Sequence, residues 1–378
     1  MHEQEKHNFE RHKYAMRYDM DTVVQVVQHM RPGGIETMAL DLVKFCEKHE
    51  KALIISLEGD RESAIQHWPK LKPVSEKLIF LKKKPGLNPA LIYQLSRLLK
   101  NMKANVVHTH HIGPLLYAGI ASRLSGVKHL IHTEHDAWHL NNPRRCKLQR
   151  WTIRLTRPHL VADANSVAIS VKKQLRLNKT INVIHNGIDT KHFIPGNQSN
   201  ARQFFGLPQN VQLVGCSGRL EKVKGQKNLI LSLSQLSETV HLALAGEGSL
   251  ETELRQLVKS LKLDDRVHFL GRIDEMPTFY QALDIFCLPS LNEGLPLSPL
   301  EAQSCGIATA VTDVGGAAEA LCPDSGKLIP ANNISAMSSA IHKTLRHPSK
   351  IDPRCFVQQH RDVRLMARSY TAIRQKGG

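Results

Sequence analysis

VQLVGCSGRLEKVKG, residues 211 to 225, is the stretch that decides the fold. An apolar run closes on the small residues Gly215, Cys216, Ser217 and Gly218, which let the backbone turn tightly, and a helical pattern opens near Gln226. Strand, small-residue turn and helix form the opening unit of a doubly wound parallel sheet. Arg219 and Lys224 stand in the turn, five positions apart. A planar guanidinium and a compact ammonium beside a strand end suit a diphosphate. Taken alone, they read as well as solvated loop cations. The loop lacks Walker spacing, and GEGSLE (246–251) is only a fragment of a dinucleotide fingerprint.

The same rhythm runs in both directions. Downstream, apolar runs recur at 240–248, 267–272, 285–290, 308–313 and 326–330, with an amphipathic helix expected over 250–263. Upstream they fall at 22–27, 52–57, 78–81, 105–110, 129–134, 159–164 and 181–186. Strands apolar throughout, alternating with helices, imply parallel sheets covered on both faces. The expected fold class is α/β, with two Rossmann-like doubly wound domains facing a central cleft. A polar extension is expected over 1–20, a first domain over 21–196, a second over 197–350, and a helical segment over 351–378 that packs back on the first domain. The Pro-, Gly-, Asn- and Gln-rich segment 192–210 reads as a linker.

The 378 residues are 41% hydrophobic, which suits packed domains rather than a disordered chain. Seven scattered cysteines without CxxC spacing favour reduced thiols over disulfides or a zinc knuckle. No apolar run is long enough to span a membrane, and the charged N-terminus has no secretory signature, so a cytoplasmic location is expected. The net charge of +17 is lopsided: residues 1–200 hold 31 Lys and Arg against 17 Asp and Glu, whereas residues 201–378 hold 20 against 17. A basic first half suits an anionic partner. Aromatics at 5% give no stacking platform, so nucleic acid is not the expected partner.

EGLPLSPLE, residues 293 to 301, places Glu293 before a turn and Glu301 on the following helix. Carboxylates repel a diphosphate but accept hydrogen bonds from sugar hydroxyls, while the backbone N–H groups of Gly294 and Leu295 offer an anion site. This constellation resembles the family-4 retaining glycosyltransferases of the GT-B fold over about residues 21–345. E-x7-E is the strongest motif, and GRLEKVKG matches the family's donor loop; AGEG (245–248), VHFLGR (267–272) and VTDVGGAAE (311–319) also look like family segments. The resemblance implies that Arg219 and Lys224 bind the diphosphate of a UDP-sugar or GDP-sugar. It implies that Glu293 contacts the donor sugar and Glu301 the ribose, and that Arg272 lies beside the base. It also implies a front-face displacement in which leaving-group stabilisation carries the catalysis.

In the first half, Gly33 and Gly34 resemble the family's loop over the donor phosphates, and NVIHNGIDTKHF (182–193) its domain-closing segment. Histidines 108, 110, 111, 132, 135 and 139 cluster at strand ends. They read either as a metal site or as hydrogen-bonding groups of a sugar pocket. The metal reading wants further downstream ligands, so no metal and no cofactor are expected. Thr133-Glu134-His135 resembles the family's T-x-H, which makes His135 the residue facing the donor sugar. YDMD (18–21) is formally D-x-D but precedes the first strand. Basic segments 81–103 and 141–157 carry Leu, Trp and Tyr among their cations and suit an anionic membrane face. A glycan or lipid-linked acceptor of bacterial surface polysaccharide synthesis, met at the cytoplasmic face of the inner membrane, is what the resemblance suggests. A sugar-nucleotide epimerase of the same architecture and a basic nucleic-acid-binding protein are the rival readings.

Overall fold

The computed structural model describes residues 20–376; the extension expected over 1–20 lies, apart from Met20, outside the described residues. The first domain holds β1 (Asp21–Val27), β2 (Glu50–Ser56), β3 (Leu78–Phe80), β4 (Ala104–His110), β5 (His129–Glu134), β6 (His159–Ala162) and β7 (Asn182–Val183). The second holds β8 (Gln212–Ser217), β9 (Val240–Ala245), β10 (Val267–Gly271), β11 (Ile285–Leu288), β12 (Ala308–Thr312) and β13 (Lys327–Ile329). Strand orders are β3-β2-β1-β4-β5-β6-β7 and β10-β9-β8-β11-β12-β13, with parallel pairing throughout. The burial of β1 and β11 from nearly end to end explains why their sequences are apolar rather than alternating. In each sheet the winding direction reverses once, between β1 and β4 and between β8 and β11. Those two switch points are where crevices open beyond the carboxyl ends of the strands.

The helices that position the site are α1 (Gly34–Lys44), α2 (Pro143–Thr156), α3 (Asn165–Leu175), α4 (Gln226–Leu233), α5 (Met276–Gln281), α6 (Leu297–Ser304) and α7 (Val363–Lys376). After the second domain the chain returns to the first. Ile188 bridges Asp362, and α7 buries Val363, Met366, Ala367 and Tyr370 in the first-domain core. Arg374 closes the return by pairing with the buried Glu50. At about 1.5–3 kcal/mol for each fully buried large apolar side chain, this return is a substantial part of the first domain's stability.

Segment 192–210 is more than a linker. The Asn197 side chain accepts from Asn200 N at 2.9 Å and caps a helix over Gln198–Phe204. Arg202 of that helix is buried and donates to Ala282 O and to Asp284. Asn is as good a helix cap as it is a loop residue, so composition alone does not separate the two.

Candidate active site

The second-domain wall is built by the loops after β8 and β11. Gly225 has φ +68, and a Cβ there would strike the carbonyl of Pro289, so only glycine lets the β8 loop lie on the end of β11. That approach brings Lys224 Nζ to Glu293 Oε1 at 2.6 Å. Ser290 Oγ donates to the same oxygen at 2.6 Å, and among the described residues Glu293 Oε2 accepts nothing. Arg219 is exposed on the same loop. Deeper in, Tyr280 of α5 donates to Glu301 Oε2 at 2.6 Å and lies 3.1 Å from Ser217 Oγ. Burial raises the Glu301 carboxyl above its ordinary range. Arg272, just past β10, is partly exposed and 3.9 Å from Asp274.

The first-domain wall is a polar network. His135 is buried, with Nε2 3.1 Å from His110 Nδ1 and Nδ1 3.4 Å from Asp163 Oδ2. His110 Nε2 meets Gln25 Oε1 at 3.0 Å, so β1, β4 and β5 are tied together at the switch point. His108 pairs with Thr133 at 2.7 Å, and Thr133 with Tyr370 of α7 at 3.0 Å. Above this network, Gly33 and Gly34 are exposed at the N-terminus of α1. Glu36 folds back beneath them, 3.2 Å from His29, and burial pushes its carboxyl up to about 7. Arg219 from the opposite wall also bears electrostatically on Glu36 and His29, which places it across the cleft from the glycine loop.

The walls come into contact at Gly294. A Cβ on Gly294 would collide with the His135 carbonyl. Here the lack of a side chain brings backbone to backbone. Leu295 N donates to Asp163 Oδ2 at 3.3 Å, and Asn186 Nδ2 donates to Leu295 O at 2.9 Å. Glu319 pins the domains further. It accepts from the amides of Asn165 and Ser166 at the start of α3, and from His185 at 3.0 Å. Burial works against its charge, but those amide donors prevail and draw the carboxyl down to about 2.

Residues 197–361 match the family of Glycosyl transferases group 1, and residues 32–192 match Glycosyltransferase Family 4. Together these stretches take in both walls and most of the chain. The chain carries a domain of each of these two families, and its fold is GT-B. It is 32% identical over 186 residues to the lipopolysaccharide core biosynthesis mannosyltransferase LpsB of Rhizobium meliloti, covering 46% of this chain and 53% of that protein. It is 30% identical over 240 residues to the Escherichia coli UDP-Gal:alpha-D-GlcNAc-diphosphoundecaprenol alpha-1,3-galactosyltransferase, covering 60% and 62%. In both cases less than two thirds of the relative is spanned. The fold of Anabaena Alr3699/HepE, solved in complex with UDP, superposes with a TM-score of 0.82 at 20% identity, over 94% of this chain and all of that one.

Between the two domains, Lys224 and Glu293 come into direct contact, and Arg219, His135, Gly294, Gly33 and Gly34 gather around one cleft. Glu301 lies deeper, and Arg272 at the outer end of the second sheet. Leu295 departs from expectation. Its amide is taken by Asp163, so it joins the domains rather than facing an anion. Helix α6 begins only at Leu297, where Leu297 and Ser298 are the half-exposed positions, because Pro296 keeps extended backbone up to that point. Arg150, expected on a free basic face, donates instead to Leu175 O at 2.9 Å and Gln174 O at 3.1 Å. Sequence reasoning missed Tyr280, Ser290, Asp163 and Gln25. Each is a common polar residue made significant only by a partner 3 to 132 positions away. Glu319 lies in a family-like segment that assigns it no role. Both family matches are to glycosyl transferases, which leaves the epimerase reading without support.

Proposed function

We propose that the enzyme moves a sugar from a UDP-sugar or GDP-sugar to a glycan or lipid-linked acceptor of bacterial surface polysaccharide synthesis, with retention of configuration. The observation that carries this reading is Glu293. Lys224 and Ser290 hold one of its oxygens while the other stays open beside the His135–Gly294 contact. A fixed carboxylate oxygen is suited to a sugar hydroxyl, and the free edge of Glu301 to a ribose. Arg219 and Lys224 stabilise the departing diphosphate, so the donor needs no metal. The bond from C1 to the diphosphate oxygen breaks while the acceptor oxygen bonds C1 from the same face. The acceptor proton passes to the leaving phosphate, and nucleoside diphosphate is released. The relatives' names, with their lipopolysaccharide core and diphosphoundecaprenol acceptor, support this choice of substrates.

Incubating the protein with a panel of UDP- and GDP-sugars tests the reading. Release of nucleoside diphosphate with one donor, accelerated by a lipid-diphosphate glycan and giving an α-linked product from an α-linked donor, is the expected result. Inverted product or the absence of any donor turnover would overturn it.

The proposed place of work is the cytoplasmic face of an anionic membrane. No described helix is long and apolar enough to cross one. Helix α2 does expose Arg144, Arg145 and Lys147 together with Trp151 (53% exposed) and Leu155 (50%). Such a surface suits the interfacial region of a bilayer. Binding to phosphatidylglycerol vesicles should exceed binding to neutral ones and weaken with salt. Equal binding to both would remove the electrostatic account.

A further inference from the structure

Three side chains beyond the donor cleft form a cluster that the transfer reaction does not use. His111 follows β4, and Asp136 and His139 follow β5. One ligand atom from each lies within 4.8 Å of the others. Asp136 Oδ1 is 2.9 Å from His139 Nδ1, and Asp136 Oδ2 is 3.9 Å from His111 Nε2. Metal–ligand bonds of about 2.0–2.2 Å put neighbouring ligand atoms roughly 3–3.5 Å apart, so small movements close the site. Asp136 and His139 are buried, whereas the His111 side chain is 32% exposed. His111 also has φ +69, a conformation that non-glycine residues hold only when their surroundings enforce it.

The shell behind the cluster strengthens the case. Gln149 is fully buried, and its amide nitrogen donates to Glu134. That contact turns its carbonyl oxygen to His139 Nε2 at 2.8 Å. Nε2 must then carry the proton, and Nδ1 presents its lone pair to a carboxylate oxygen. Two lone pairs 2.9 Å apart need a cation or a second proton between them. An imidazole held at its far nitrogen by a buried carbonyl, itself fixed by a carboxylate, is the usual support of a metal ligand. Of the other clustered histidines, His135 and His110 engage both ring nitrogens with protein groups, His132 bonds Thr109 and Glu134, and His108 is fully buried with Nε2 on Thr133 and Nδ1 without a partner among the described residues.

We propose that His111, Asp136 and His139 form a site for a divalent transition metal on the first-domain wall. Two imidazoles and one carboxylate suit Zn2+, Co2+ or Mn2+, and the exposed side next to His111 leaves a coordination position for water or a phosphate oxygen. The His111 ring lies 6.0 Å from that of His135, so the metal belongs to the first-domain wall, whereas Arg219 and Lys224 stand on the second. The ligands lie within the histidine cluster itself, and folding picks them out by bringing Asp136 and His139 to His111.

The test uses Co2+, whose visible absorption reports coordination, and Zn2+ by calorimetry, on the full chain after chelator treatment. His2, His7 and His12 are first changed to Ala so that the N-terminus cannot bind metal itself. The expected result is one Co2+ per chain with a new d–d band, displaced by Zn2+. His111→Ala, at a half-exposed position, should weaken Co2+ binding by at least about a hundredfold, the upper end of the roughly ten- to hundredfold loss that removing an outer partner alone gives. Asp136→Asn should do the same, and His185→Ala should not. UDP and GDP affinity should be equal with and without metal, which keeps this result separate from that of the donor reading. Absence of stoichiometric binding, or binding unaltered by His111→Ala, would show that a proton alone fills the gap and would overturn the proposal.

Discussion

The two walls of the cleft are held by opposite means. On the first-domain wall, His108, His110, His132 and His135 are all buried and engage protein partners, and burial holds the first two far below the ordinary histidine range. It is a buried lattice anchored in three strands. On the second-domain wall, Arg219 is exposed, Lys224 is partly exposed, and Glu293 and Glu301 each keep one oxygen open. A wall whose side chains are mostly bonded to one another supplies shape, whereas a wall with charges to spare supplies binding energy. Damage to the first should therefore appear as lost stability, and damage to the second as lost ligand affinity and turnover.

The largest effect is expected on the second wall. Lys224→Ala should lower transfer roughly 100- to 1,000-fold, as loss of one preorganised charge-stabilising donor does, and nucleoside-diphosphate affinity by roughly ten- to hundredfold. The melting temperature should move little. Calorimetry with steady-state rates reads all three quantities. A folded variant with parental turnover would erase the contrast between the walls.

Next comes the first wall. His110→Ala leaves the buried Gln25 carbonyl and His135 Nε2 without their partner. Orphaning two buried groups at about 1–3 kcal/mol each should show as a lower denaturant midpoint. Nucleoside-diphosphate affinity in the folded fraction should be unchanged; a selective loss of that affinity with normal stability would reverse the assignment.

The seam between the walls titrates. Glu319 has its carboxyl drawn from 4.5 to about 2, so the stability it contributes is complete above pH 4.5 and is lost as pH falls toward 2. Glu319→Gln should cost roughly 1.5–3 kcal/mol near neutrality and flatten that acid limb. Thermal melts across pH give both, and a variant with the same acid limb as the parent would place the pin elsewhere.

The smallest effect has the opposite sign. Glu36 has its carboxyl pushed from 4.5 up to about 7, so charging it costs the folded state progressively as pH rises through that window. Glu36→Gln should stabilise the protein by roughly 1 kcal/mol above pH 7, since a tenfold change in an acid's ionisation constant corresponds to about 1.4 kcal/mol, and should be neutral at low pH. Destabilisation above pH 7 would mean that the contact with His29 outweighs desolvation.

Sequence by itself determined the frame. All thirteen apolar runs are strands of the two sheets, and central strands such as β1 and β11 are nearly continuous in apolar residues because both faces of a parallel sheet are covered. Where the runs overshoot, as at 163–164, 184–186, 246–248 and 289–290, the strand stops and a site loop begins. Asp163, Asn186 and Ser290 stand in those overshoots, and local pattern could not separate a strand end from the cleft it feeds. Arg219, Lys224, Glu293 and Glu301 could be picked out because their spacing matches motifs of the family the sequence resembles. Tertiary structure alone decided their partners. Lys224 meets Glu293 across 69 positions, Asn165 meets Glu319 across 154, and Thr133 meets Tyr370 across 237. Nothing in a linear pattern encodes which of many polar residues converge when two sheets are brought to a shared cleft. Convergence is set by the packing of the cores behind them, and it turns ordinary Ser, Tyr, Gln and Asp residues into parts of the site.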